Sequence, residues 1–294
     1  MRDLTRYRPE TVQARTSEIQ RLDKTLESAG IKLGSVASDI TGKGPAAMIE
    51  ALIDGERRGK VMADLSMALE GRFTEHHALM CRLILDRIRV HDTAIGGLDK
   101  QIAGLAAAWQ REIDLLKTIP GFGDVVAWTW IAEIGPAPHQ WFGSHEKLAS
   151  WVSLAPGNYI SAGKRKHSRT GDAGTYIKPV LVQAAWAAIR VRGRLQARYN
   201  RLVRRFGGPK NPAAKKKAIV AIAHTLLKIA YSVLKSGTPY QDLGEDFYTR
   251  RETPAQRQAW LERQIQKLHP GCTVTITISP PPGHAPEAAL TPGA

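Results

Sequence analysis

Between residues 73 and 119 apolar side chains recur every seven positions. One position of the repeat reads Cys81, Ile88, Ile95, Ile102, Trp109, Leu116; the position three later reads Ile84, His91, Leu98, Leu105, Glu112. This spacing predicts a coiled-coil seam of about five heptads, weakened by Gly96, Gly97 and Gly104. Residues 4–29 predict a second long amphipathic helix, with Val12, Ile19 and Leu26 seven apart, Leu22 filling in and Gly30 as its C-cap. That helix is the expected antiparallel partner of the seam; a second copy of the chain is the other candidate. His91 falls on the seam, where a register-setting polar role is expected. Glu75, His76 and His77 read as an exposed helix start rather than as a metal spacing.

Shorter helical pieces are expected at 31–37, 45–53 and 60–69, separated by Gly42, Gly44, Gly55 and Gly59. At Ile119 the texture changes to IPGFG, a tight turn, followed by a predicted helix over 125–134 that ends at Gly135. The turn around Gly121 and Gly123 reads in two ways. It can offer backbone N–H groups and a helix N-terminus to a phosphate, or it can be a plain packing corner. After a further turn and short helix over 136–150, residues 156–178 have the composition of a loop, with four glycines and Pro156. Pro179 marks the first position of the next helix, whose apolar face is Val180, Leu181, Ala184, Ala185, Ala188 and Ile189 and whose continuation carries Arg190, Arg192, Arg194, Arg198, Arg201, Arg204 and Arg205. A last strong helix runs over 212–235, with His224 as a core histidine. Residues 255–268 read as helix, 273–278 as one strand and 280–294 as a proline-rich disordered tail.

Charge changes the picture. The formal net charge is +15, and it is concentrated. Residues 157–217 hold sixteen Lys or Arg against one acid, Asp172, while the other 233 residues balance 26 against 26. Such a window points to a polyanion, with nucleic acid the first expectation; a solvated or membrane-surface face is the competing reading. Two cysteines, Cys81 and Cys272, exclude a disulfide framework or Cys-type zinc site and fit a cytoplasmic protein. The N-terminus has no signal-like segment, and no apolar run approaches the roughly 18 residues of a spanning helix.

The loop holds the candidate chemistry. Ser161 stands just before Lys164, Arg165, Lys166 and Arg169. A serine hydroxyl needs activation to act as a nucleophile, and attack on a phosphodiester needs cations to stabilise charge on the phosphoryl oxygens. Ala162 and Gly163 would let a DNA backbone approach. A serine that merely donates a hydrogen bond to phosphate is the competing reading. No GxSxG, no Ser-His-Asp arrangement and no carboxylate cluster suited to Mg²⁺ stands out.

The blocks IPGFG, WVSLAPGN, SAGKRK, LVQAAWAA, AIVAIAHTLLKIAY and GTPYQDLG, in that order, resemble the C-terminal domain of the IS110 (IS116/IS902) family of insertion-sequence transposases. LTRYR and GIKLGSVASDI resemble that family's linker region. The resemblance implies that Ser161 attacks DNA and becomes covalently joined to it, with Lys164 and Arg165 in the same block and Arg169 and Lys178 in the next. It implies a structured guide RNA, and an N-terminal RuvC-like domain whose four acidic residues bind metal, so that Mg²⁺ is expected only with that domain. The RuvC-like domain would precede LTRYR, so the chain is expected to be truncated and impaired in catalysis. Gly171, Asp172 and Ala173 also stand where the family usually continues with basic residues.

The expected protein is therefore mainly α: a helical linker region over 1–70, a coiled-coil helix over 71–117, a transposase domain over 118–240, a tail helix and strand over 241–279 and a disordered tail over 280–294. The expected function is DNA transposition through Ser161. DNA contacts are expected from Lys164, Arg165, Lys166, Arg169, Lys178, Arg190, Arg194, Arg198, Gly121 and Gly123. Partners are DNA, a guide RNA and a second copy through the coiled coil, with no membrane. The alternative is a non-catalytic nucleic-acid-binding module that regulates an intact transposase.

Overall fold

The computed structural model describes residues 1–35, 37, 39–54, 72–157, 159–162, 164–167, 170–250 and 254–269. The helix expected at 60–69, the strand at 273–278, the proline-rich tail, Cys272 and Arg169 lie outside them. The fold is mainly α. Its long elements are α1 (Arg2–Ser28), α2 (Lys43–Ile53) and α3 (Glu75–Ala106).

The α1 helix ends as its sequence requires. Gly30 takes φ +81, its N–H bonds the Glu27 carbonyl, and the N–H of Ile31 bonds the Leu26 carbonyl at 2.9 Å. This is a Schellman closure, and Leu26 and Ile31 are both fully buried beside it. The expected helix over 31–37 is only a 3₁₀ turn, Leu33–Ser35. The α3 helix has Thr74 as its N-cap, and His77 Nδ1 caps it by accepting from the Thr74 backbone N–H at 3.2 Å.

The α1 and α3 helices run antiparallel. Arg8 pairs with Asp99 at 2.5 Å and Arg15 with Asp92 at 2.5 Å, one heptad apart on both helices; Arg87 then reaches Glu18 at 2.8 Å. The expected apolar seam holds at one end, where Leu22, Leu26, Cys81, Ile84, Leu85 and Ile88 form a core with Ile31, Leu33, Ile49 and Leu52. Burial raises the Cys81 thiol pKa to about 11. Towards the start of α1 the buried stripe is Thr5, Thr11 and Glu18 instead of Val12 and Ile19. Charge pairs, not a continuous apolar seam, set the register there.

The long helix also stops sooner than the heptads suggest. It ends at Ala106, passes through a 3₁₀ turn at Ala107–Trp109 and restarts as α4 (Gln110–Lys117). Leu105, a seam position by spacing, is 48% exposed. Ile113 and Leu116 instead join the second core.

That second core is a bundle of α4, α5 (Asp124–Glu133), α6 (Pro138–Phe142), α7 (His145–Trp151), α8 (Ile177–Ala188), α9 (Arg194–Arg205) and α10 (Pro212–Ser236), followed by α11 (Phe247–Arg250) and α12 (Pro254–Leu268). Helix α10 is its axis, packing against α4, α6, α7, α8 and α9. Asn211 caps it by accepting from Ala213 and Ala214 N–H, Pro212 opens it, and Gly237 in the left-handed region (φ +66) closes it. By length and composition α10 could cross a membrane, which amends the expectation of no such run. Its apolar residues, among them Ile219, Ile222, Leu226 and Leu227, are the buried centre of the bundle.

Candidate nucleic-acid interface

The basic loop contains a β-hairpin that its composition did not announce. Strand β1 (Tyr159–Ser161) pairs antiparallel with β2 (Lys164–His167), in the register Tyr159↔His167, Ile160↔Arg165 and Ser161↔Lys164, with an irregularity between Tyr159 and Ile160. No strand was expected here; the one expected, at 273–278, lies outside the described residues. Ser161 is the last residue of β1, at the tip of a two-residue turn. Ala162 in that turn has φ +50, a conformation that costs a non-glycine residue about 1–2 kcal/mol.

The base of the hairpin is tied down. A bridge joins Pro156 to Thr170. Lys178 Nζ donates to Thr170 Oγ1 at 3.0 Å and to the Gly171 carbonyl at 2.7 Å. Lys178, expected to contact DNA, here staples the loop to α8. Gly174 (φ +75) lies directly against the backbone of Val152 at the end of α7. Trp151 and Tyr176 stand on either side of that contact in sequence and are 48% and 41% exposed. Both rings are already engaged: the Arg6 guanidinium lies 4.2 Å from the Tyr176 ring centroid, and Trp151 packs on Phe142 at 5.5 Å between centroids.

The turn at 120–123 is a packing corner at Gly121. Gly121 (φ +85) faces the Ala184 carbonyl and lies where a Cβ would come 3.0 Å from Ala188 N. Gly123 is open to solvent as the N-cap of α5. The first turn of α5 already has a carboxylate, Asp124, paired with Lys117 at 2.6 Å.

The arginines divide into two groups. The run is not one helix: α8 ends at Ala188, and Gly193 (φ +148) separates it from α9. Arg190 is exposed in the connection. Arg194 and Arg198, one helical turn apart, meet aromatic residues from α11. The Arg194 guanidinium sits 4.6 Å from the Phe247 ring centroid, and Arg198 Nη1 donates to Tyr248 Oη at 3.3 Å. Asp242 fixes this arrangement by accepting from the Arg194 and Gly244 N–H groups.

Positive potential shows in the neighbouring titrations. The His224 pKa is pushed down, first by burial, then by Lys228, Arg198 and His145, against a small opposing effect of Glu146. Below the ordinary imidazole value of about 6.5 the unfolded chain therefore takes up a proton that the folded chain refuses. His224 contributes its full stability above that pH and loses it as pH falls towards the folded-state pKa. Thermal melts of wild type should fall between about pH 7 and 5 more steeply than those of His224→Gln; parallel curves would contradict this.

No group of three or more His, Cys, Asp or Glu among the described residues is arranged to hold a metal ion. No curated protein matches the chain. The family model described as Transposase IS116/IS110/IS902 family matches residues 113–200, from α4 through the hairpin into α9. Over those residues the chain is similar to the IS116/IS110/IS902 transposase family.

Proposed function

We propose that the chain binds DNA with the 159–167 hairpin and that Ser161 is the nucleophile of strand transfer. The supporting observation is the position of Ser161 at a hairpin tip, opposite Lys164 in the register and inside the family-matched segment. In the proposed step, Ser161 Oγ attacks phosphorus. The Oγ–P bond forms as the P–O bond to one deoxyribose breaks, and the hydroxyl proton ends on the departing sugar oxygen. A phosphodiester is exchanged for a phosphodiester, so the strand can be rejoined without an external energy source. Lys164, Arg165, Lys166 and Arg169 would stabilise charge on the phosphoryl oxygens. A structured RNA that selects the DNA partners, and Mg²⁺ supplied with a RuvC-like domain, are proposed from the family resemblance.

The test is a denaturing gel of end-labelled duplex carrying the gene's own flanking sequence, incubated with protein and Mg²⁺. Supplied with a RuvC-like domain of the family, wild type should give a protein-linked band. Ser161→Ala should abolish it while changing DNA affinity by less than about twofold, since a neutral hydroxyl contributes little to binding dominated by phosphate charge. Equal adduct from both proteins would remove Ser161 from the chemistry. Binding without any adduct would favour the non-catalytic module, and no affinity for DNA or RNA at low salt would leave only a structural helical protein.

A further inference from the structure

A cleft of about 440 Å³ opens between α7, α9, α10 and the segment that follows α10. Its size falls within the range of small-ligand sites and exceeds what a single bare anion fills. Its polar lining has one sign of charge. Arg194 and Arg198 come from α9, Lys228 from α10 and His145 from α7, with the hydroxyls of Ser232 and Thr238 nearby. No carboxylate among the described residues lines it. Two acids next to lining residues in the sequence, Asp242 and Glu146, are already engaged. Asp242 accepts from the Arg194 and Gly244 N–H groups and from Tyr240 Oη, and Glu146 Oε1 lies 2.8 Å from His145 Nδ1.

The arginines are held in place but not used up. The aromatic residues of α11 engage them, Phe247 through its ring face, which leaves in-plane guanidinium donors for another acceptor. The Nε atoms of both Arg194 and Arg198 are buried without a hydrogen-bond partner among the described residues. Tyr248 reports the same potential. Burial alone would raise its pKa, yet its hydrogen bonds to Arg194 and Arg198 bring it below the ordinary phenol value.

We propose that this cleft is a phosphate pocket in which Arg194, Arg198 and Lys228 hold one nucleotide of a bound nucleic-acid strand. The proposal rests on the DNA-binding reading above but not on the role of Ser161. It adds His145 and Lys228 to the interface, two residues that lie 83 positions apart in the chain.

Calorimetric titration of the full chain with a single-stranded trinucleotide, a 5′-mononucleotide and inorganic phosphate tests it. The trinucleotide should bind tighter than the mononucleotide, and both tighter than phosphate. Arg198→Gln and Lys228→Gln should each weaken the trinucleotide about tenfold and lower the slope of log affinity against log salt by about 1. Ser161→Ala should leave the titration unchanged, so loss of the covalent adduct and loss of the pocket are separate results. Lys228 is only half-buried and its Nζ has no described hydrogen bond or ion pair, so Lys228→Gln should melt within a few degrees of wild type even if Arg198→Gln fails to fold. Unchanged affinity and salt slope in a folded Lys228→Gln would overturn the proposal. Inorganic phosphate binding as tightly as the trinucleotide would also overturn it, in favour of a free-anion site.

Discussion

Gly121→Ala should destabilise the chain by about 2–5 kcal/mol. Two costs add. A non-glycine residue at φ +85 pays roughly 1–2 kcal/mol for the left-handed conformation. The added methyl would also overlap the Ala184 carbonyl and stand 3.0 Å from Ala188 N and 3.1 Å from Ala184 C. These are backbone atoms of α8, which no rotamer change can move, so the helix must shift from α5; overpacking of this kind costs roughly 1–3 kcal/mol. The next residue, Phe122, packs on the fully buried Trp130 at 6.3 Å between ring centroids, so a shift propagates into the core. A loss of that size is a large share of a typical folding free energy of roughly 5–15 kcal/mol and should lower the melting temperature by roughly 10 °C. Gly123→Ala is the control. Its φ is −96 and no heavy atom would lie within 4 Å of the new methyl, so it should cost at most about 0.5 kcal/mol. A Gly121→Ala melt within a degree of wild type would show that the corner is not tightly packed.

Gly174→Ala should cost about 2–4 kcal/mol and act first on the hairpin. Gly174 has φ +75, and a methyl there would meet the Val152 carbonyl and stand 3.0 Å from Val152 C and 3.1 Å from its Cα. Its own carbonyl accepts the Lys178 N–H at 2.9 Å in the first turn of α8. The substitution therefore pushes the loop base from the end of α7 and disturbs the staple made by Lys178. Gly143→Ala separates strain from overlap. At φ +61 with nothing within 4 Å of its added methyl, it should pay only the conformational cost of about 1–2 kcal/mol. Hydrogen exchange should show Gly174→Ala losing protection at 152–157 and 175–180, with α10 unaffected, and DNA adduct formation should fall with it. Equal exchange in the Gly143 and Gly174 variants would refute the account.

Local punctuation was legible because its physics is local. Gly30 and Pro212 mark helix ends through backbone conformation that spans a few residues. The basic window, and the ordered blocks that resemble the transposase family, needed only the sequence. The hairpin was not legible. Its strands are only three and four residues long, the second wholly basic, and no Asn-Gly signal joins them.

The sequence by itself determined where α1 and α10 stop, that one stretch concentrates the positive charge, and which serine stands before the cations. Tertiary structure decided what those stretches meet. The heptad spacing could not reveal that α3 breaks at Ala106, because the next apolar positions, Ile113 and Leu116, are recruited by the bundle. It could not set the register of α1, which rests on Arg8–Asp99 and Arg15–Asp92 across more than seventy residues. Nor could it show that Gly121 faces inward against α8, or that Phe247 and Tyr248 return to hold Arg194 and Arg198 beside Lys228 and His145. Periodicity and capping report forces acting over one or two turns of backbone. A site assembled from α7, α9 and α10 depends on how the chain closes on itself, and that is settled only when the apolar faces of separate helices share one core.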